Sequence, residues 1–298
     1  MRHPLARRDR LTSLAFVVPA LILFFVFVAY PIVYNFQAST LDWDGATAGT
    51  FVGLGNFVAL AHDPVFTKTL LNSALWIPLT IVPQALIGLG LALMLNQPLR
   101  GRGVYRALLF LPTVLSPVVV GIVWAQILDP NSGTLAAIAE QTGLTFLKFS
   151  YLGDPKTAIF AVMVVNIWMY TGFSLLFYLA GLQLIEPSLL EAAKLDGANF
   201  WQRTTRVTFP LLRNTHLTLL LLGIIGSLKT FELLYVLTSG GPYHASEMLP
   251  TYAFKQAFQL HSIGYASAIS VALLVIAIGS SLLMTRVFGA GFITGEER

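Results

Sequence analysis

Charge is scarce in this chain. Only 11% of its 298 residues are charged, while 56% are hydrophobic; an ordinary soluble domain carries about 25% charged residues. So little polar surface cannot cover a water-soluble core of this length, which excludes a typical cytosolic enzyme and leaves an integral membrane protein. Cysteine is absent, and with it any disulfide framework, thiolate metal site or cysteine nucleophile. No G-x-x-x-x-G-K-[ST] loop occurs, nor even a Gly-Lys dipeptide, so the chain has no recognisable phosphate loop of its own. The histidines (His3, His62, His216, His244 and His261) are scattered without metal-ligand spacing. No apolar segment holds two carboxylates that could share general acid and base roles. Transport by this chain therefore needs energy from an ion gradient or from a partner. The net charge of +4 is spread in short basic clusters, which disfavours nucleic acid and suits a membrane topology signal.

Long charge-free runs are what the sequence does have. A helix needs about 20 apolar residues to cross the hydrocarbon core. Five windows meet this, and a sixth is interrupted only by Lys229 and Glu232. The chain reads as one all-α transmembrane domain, 1–298, with six spans at about 11–34, 70–95, 107–128, 157–181, 215–237 and 265–286. With an internal N-terminus, 13 of the 18 basic residues fall on the cytoplasmic side, among them Arg2, Arg7, Arg8, Arg10 and Arg298. Only Lys68, Lys148, Lys156 and Lys255 lie outside, which predicts that both termini are cytoplasmic. The first apolar run exceeds a secretory signal's apolar region and lacks a small-x-small cleavage site, so it is read as a retained span. Pro78, Pro83, Pro112 and Pro117, with Gly172, Gly223 and Gly226, predict broken helices packed around a pathway.

The loop 186–212 between the fourth and fifth spans is predicted to be a helix-turn-helix. Pro187 suits a first helical position, and Gly197 can take the left-handed conformation that ends a helix. Asn199 with Gln202 makes a capping box for a second helix, and Pro210 limits that helix before the fifth span. On these residues alone, a knob that grips a partner and a solvated interfacial loop are both open.

The run Glu191-Ala192-Ala193, Gly197 after three residues, then Val207-x-Phe209-Pro210 resembles the EAA signature of binding-protein-dependent ABC-importer permeases. Every spacing matches. Val207 and Phe209 replace the usual Ile and Leu, and Thr204 stands where the sugar branch often has an aromatic residue. The stretch from Phe231 through Thr238 to Gly240-Gly241-Pro242 resembles a segment of carbohydrate-uptake permeases, with Glu232 where Asp is commoner and Ser246 where Thr is commoner.

This resemblance implies a transport subunit, not an enzyme, in the cytoplasmic membrane. It binds no cofactor itself; ATP and Mg belong to a partner ABC ATPase dimer. Its other implied partners are a second homologous permease chain and an extracytoplasmic solute-binding protein. Glu191, Ala192, Ala193, Gly197 and Pro210 would couple the ATPase to the spans, and Gly240, Gly241 and Pro242 would face the binding protein. The cargo would be a sugar or related polyol. The rival class is a self-sufficient secondary transporter or channel for a small polar solute, which should carry several intramembrane ionisable residues. Only Lys229 and Glu232 qualify. At 13 residues from His216, Lys229 is placed about 20 Å along the fifth span, with Glu232 one turn further on the same face. That face either lines the pathway as a gate, or the two side chains pair with each other or snorkel outward.

Overall fold

The computed structural model describes residues 16–288, so the terminal arginines Arg2, Arg7, Arg8, Arg10 and Arg298 and the start of the first apolar run lie outside the described residues. Helices dominate. They are α1 Phe16–Ala38, α2 Gly55–His62, α3 Pro64–Leu95, α4 Arg102–Val114, α5 Pro117–Ile127 and α6 Thr134–Thr142. After these come α7 Ala158–Gln183, α8 Pro187–Leu195, α9 Phe200–Leu211 and α10 Arg213–Leu228. The chain ends with α11 Glu232–Leu237, α12 Leu249–Phe258 and α13 Ile263–Phe288. Four of them (α1, α3, α7 and α13) are long and apolar enough to cross a membrane; the count rises to six if the bent pairs α4–α5 and α9–α10 each form one span.

The chain forms two compact units. Among the described residues, one comprises 16–63 and 253–274, the other 64–252 and 275–288. In the first, β1 Leu41–Asp42 pairs antiparallel with β2 Thr50–Phe51. Asn56 Nδ2 donates to the carbonyls of Ser39 and Leu41 at 2.9 and 2.8 Å, and Tyr265 donates to Asp63 at 2.7 Å. The apolar window of α1 has none of its residues buried.

In the second unit α7 is the central post. Its first half (Ile159, Val162, Met163, Met169) joins Trp76, Val120 and Leu233 in one cluster. Its second half (Leu175, Tyr178, Leu179, Leu182) joins Leu89, Ala92 and Leu212 in another. Small residues permit this packing, as they do between membrane helices where lipid removes the hydrophobic drive. A Cβ on Gly172 would collide with the carbonyl oxygen of Leu109, and one on Gly88 would lie 2.6 Å from Ser174 Cβ. At 32 residues, α3 is about 48 Å long. That exceeds the hydrocarbon core of about 30 Å, so it tilts or protrudes.

The broken helices predicted from the sequence are present in two segments, while α3 runs unbroken through Pro78 and Pro83. The segment 107–128 is broken as its prolines predict: α4 and α5 meet at 95°. Pro117 is the first residue of α5, and Ser116 before it is extended (φ −60°, ψ 134°), because proline disfavours the helical conformation in its predecessor. The segment 215–237 is also broken. α10 ends at Leu228, and Phe231 (φ −130°, ψ −60°) precedes a new helix, α11. There the Thr230 hydroxyl takes the Gly226 carbonyl at 3.0 Å, the kind of local bond that competes with a helical ladder. Lys229 and Glu232 consequently do not share one continuous helical face. Finally, the second loop helix ends at Leu211, one residue past Pro210 and before the fifth segment, as the sequence predicts. A π-turn over Thr204–Thr208 opens the ladder just before the proline, easing the loss of its N–H and the bulk of its ring. The break falls at Leu212, where α9 and α10 meet at 65°.

Candidate functional site

The loop 186–212 is ordered by local chemistry. Glu186 is extended (φ −64°, ψ 126°) and Pro187 takes the first turn of α8, where its missing N–H is not needed. The helix closes on Gly197 at φ +78°. The Gly197 N–H donates to the Lys194 carbonyl at 3.1 Å and the Ala198 N–H to the Ala193 carbonyl at 3.0 Å. This is the paired C-terminal closure that uses a left-handed glycine. The Ala193 carbonyl thus closes the turn, while the Glu191 and Ala192 side chains stay exposed. Asn199 then starts α9 in a reciprocal capping box: Gln202 N–H to Asn199 Oδ1 at 2.8 Å, and Asn199 N–H to Gln202 Oε1 at 2.9 Å. Thr204 is buried and satisfied by the Phe200 carbonyl at 2.9 Å. This loop exposes two large apolar side chains, Leu195 at 89% and Trp201 at 71%, along with charged Glu191, Lys194 and Asp196.

Two adjoining cavities lie beside α7 and the α10–α11 break, the first walled also by α3 and the second by Pro117 of α5. One, of about 290 Å³, is lined by Trp76, Gln84, Asn166, Tyr170, Phe173 and Thr230 among others. The second, of about 330 Å³, shares Asn166, Tyr170, Gly226 and Thr230, and adds Lys229 and Glu232. Gln84 Nε2 donates to Asn166 Oδ1 at 2.9 Å. The break in the fifth segment therefore brings Lys229 and Glu232 to one cavity without the shared helical face. Among the described residues neither takes part in an ion pair, so they are not each other's partners. The amides Gln84 and Asn166 and the aromatic Tyr170 and Phe173 were not singled out from sequence. The available signal was a lone amide inside a charge-free run, a weaker mark than an ionisable residue.

The 238–247 loop is folded on itself. Gly240 is buried at φ +75°, and a Cβ there would collide with the carboxylate of Glu247, itself 0% exposed. His244 Nδ1 lies 3.0 Å from Glu247 Oε2. Lys68 reaches the Tyr243 carbonyl at 3.1 Å, and Asn72 the carbonyls of Ala245 and Glu247 at 3.1 and 2.9 Å. Gly240, Gly241 and Pro242 form the frame, with Gly241 and Pro242 half-buried. The side chain this loop displays is Tyr243, 86% exposed.

Residues 84–288 match the model of the binding-protein-dependent transport system inner membrane component family. The lactose transport system permease protein of Rhizobium radiobacter is 34% identical, over 94% of this chain and 95% of that protein. The sn-glycerol-3-phosphate transport system permease protein of Agrobacterium fabrum is 33% identical, over 91% of this chain and 92% of that protein. A crystal structure of a bacterial alginate ABC transporter, in complex with an alginate pentasaccharide-bound periplasmic protein, contains a chain 26% identical to this one. The two superpose with a TM-score of 0.82 over 94% of each. This chain, a multi-helix membrane protein with an EAA-spaced loop, belongs to the binding-protein-dependent transport system inner membrane component family.

Proposed function

We propose that this chain is the permease subunit of an ATP-driven importer for a sugar or related polyol. In this reading it has six spans with both termini cytoplasmic, counting α4–α5 as one broken span and α10–α11 as another. A second, homologous permease chain completes the pathway, and an extracytoplasmic binding protein delivers the solute. A separate ABC ATPase dimer, holding ATP and Mg, docks on the cytoplasmic loop 186–212, where Glu191, Ala192, Ala193, Gly197 and Pro210 shape the contact.

The observation that carries the reading is the exposed apolar knob: a rigidly capped turn that displays Leu195 and Trp201 to solvent. A solvated linker has no use for such a face. Coupling is mechanical, since the knob and the spans need only make different contacts in the two states of the ATPase. The cavity walls support the cargo class. Aromatic faces suit the C–H face of a sugar ring, while Gln84, Asn166 and Thr230 offer hydrogen bonds to its hydroxyls. Lys229 and Glu232 act at the neighbouring cavity as polar contacts or as a gate. The 238–247 loop presents Tyr243 to the binding protein on its Gly240-Gly241-Pro242 frame.

Co-purification tests the docking. The chain, extracted in mild detergent, should bring an ABC ATPase with it, and Leu195→Asp with Trp201→Asp should lose that partner while the permease still inserts. Retention of the ATPase by the double variant would refute the docking face.

A further inference from the structure

Of the five histidines, His216 uses both ring nitrogens to join parts of the chain that the 65° bend sets apart. It lies one turn beyond Leu212, near the start of α10. Its Nε2 is 3.0 Å from the carbonyl of Phe209, at the end of α9. Its Nδ1 is 2.9 Å from the hydroxyl of Tyr178 on α7. A carbonyl can only accept, so Nε2 carries the hydrogen; Nδ1 then accepts from the Tyr178 hydroxyl. The imidazole is also wedged between two rings, with centroids 4.3 Å from Phe209 and 5.4 Å from Tyr178.

The surroundings are rigid. Tyr178 is 2% exposed, and Leu212 at the bend is 1% exposed. A Cβ on Gly181 of α7 would collide with Thr215 Oγ1 and lie 2.8 Å from Leu212 Cδ2, so side chains at the bend pack directly on the α7 backbone. The last carbonyls of a helix lack their normal partners, and a histidine side chain can take one. Here the captured carbonyl belongs to the V-x-F-P end of the EAA-spaced loop. We infer that His216 is a positioning residue, a strut that ties the loop's second helix to α7 and so carries movement of the knob into the cavity wall formed by that same helix. Asn166 and Tyr170 lie two to three turns along α7 from Tyr178. The inference rests on the proposed coupling role of the loop.

The test uses the whole transporter in proteoliposomes, with its ATPase, second permease and binding protein, and reads ATP hydrolysed per solute imported. His216→Phe keeps a ring but loses both hydrogen bonds; Tyr178→Phe loses one. Both should assemble with the ATPase and hydrolyse ATP at the basal rate, yet import about three- to tenfold less solute per ATP. His216→Gln, whose amide supplies a donor and an acceptor on neighbouring atoms, should restore most of the ratio. The double variant His216→Phe/Tyr178→Phe should be no worse than His216→Phe alone, because one strut is being cut twice. An unchanged ratio in His216→Phe, failure of His216→Gln to rescue, or additive losses in the double variant would overturn the strut. Failure of the unsubstituted chain to bind any ATPase is a different result: it would refute the coupling reading, and the strut with it.

Discussion

Gly197 isolates backbone conformation from packing. It closes α8 at φ +78°, and a Cβ built on it meets nothing within 4 Å. Any cost of a side chain there is therefore the intrinsic cost of the left-handed conformation. For an L-residue that is about 1–2 kcal/mol, higher again for a β-branched one. The penalty lowers the fraction of loops already folded for docking, and apparent affinity falls by the same factor. At tenfold per 1.4 kcal/mol, Gly197→Ala should weaken ATPase association about five- to thirtyfold. Gly197→Val should be worse, and Gly197→Asn mildest, since asparagine tolerates this conformation. Binding of the purified ATPase to the permease complex in nanodiscs measures the series directly, and the amount of permease inserted should not change. Equal affinity across all four residues, or Asn weaker than Val, would refute the claim that the turn's conformation limits docking.

Other outcomes follow from the remaining sites. Gly172→Val should reduce the yield of folded protein, because its side chain collides with the Leu109 backbone; thermal stability in detergent reads this. Lys229→Met and Glu232→Gln should keep assembly and basal ATPase activity but lower solute uptake, and unchanged uptake in the double variant would remove the pair from the pathway. In this cysteine-free chain, a cysteine at exposed Tyr243 should react with an impermeant thiol reagent added outside cells, and one at exposed Gly103 should not; the reverse pattern would invert the topology. Asp44, exposed in the β1–β2 turn, is held down to about 2 by the N–H groups of Thr47 and Ala46. A depressed carboxylate stabilises its turn above the ordinary value and loses that contribution as pH falls through the lowered one. The Trp43 indole, which donates to Thr47 at 2.8 Å, should therefore hold its NMR position down to about pH 4 and shift between pH 3.8 and about 2.

Local chemistry was readable along the chain wherever one residue type has one use. Pro187 at a helix start, Gly197 in the left-handed turn and the Asn199–Gln202 box are each dictated by neighbours within a few residues. Breaks were harder. Pro117 was visible as a helix breaker, but a 95° turn depends on what α5 packs against, and Leu233 and Val236 of α11 lie far away in sequence. Pro210 marked the end of α9 to within one residue, but the π-turn upstream that accommodates it was not visible. The cavity was least legible. Lys229 and Glu232 drew attention by their charge, yet the wall they join is completed by Pro117, Asn166 and Tyr170 from two other helices. Neutral side chains converge there through tertiary packing, which periodicity along one strand of sequence does not encode.

ATP-dependent uptake in a defined system tests the central claim most directly. Proteoliposomes containing this chain, its second permease and the ATPase, with loaded binding protein outside, should import the sugar or polyol only when ATP and Mg are enclosed, and should stop when Glu191→Lys disrupts the loop. Uptake by this chain alone, driven by an ion gradient without ATP or ATPase, would contradict the account.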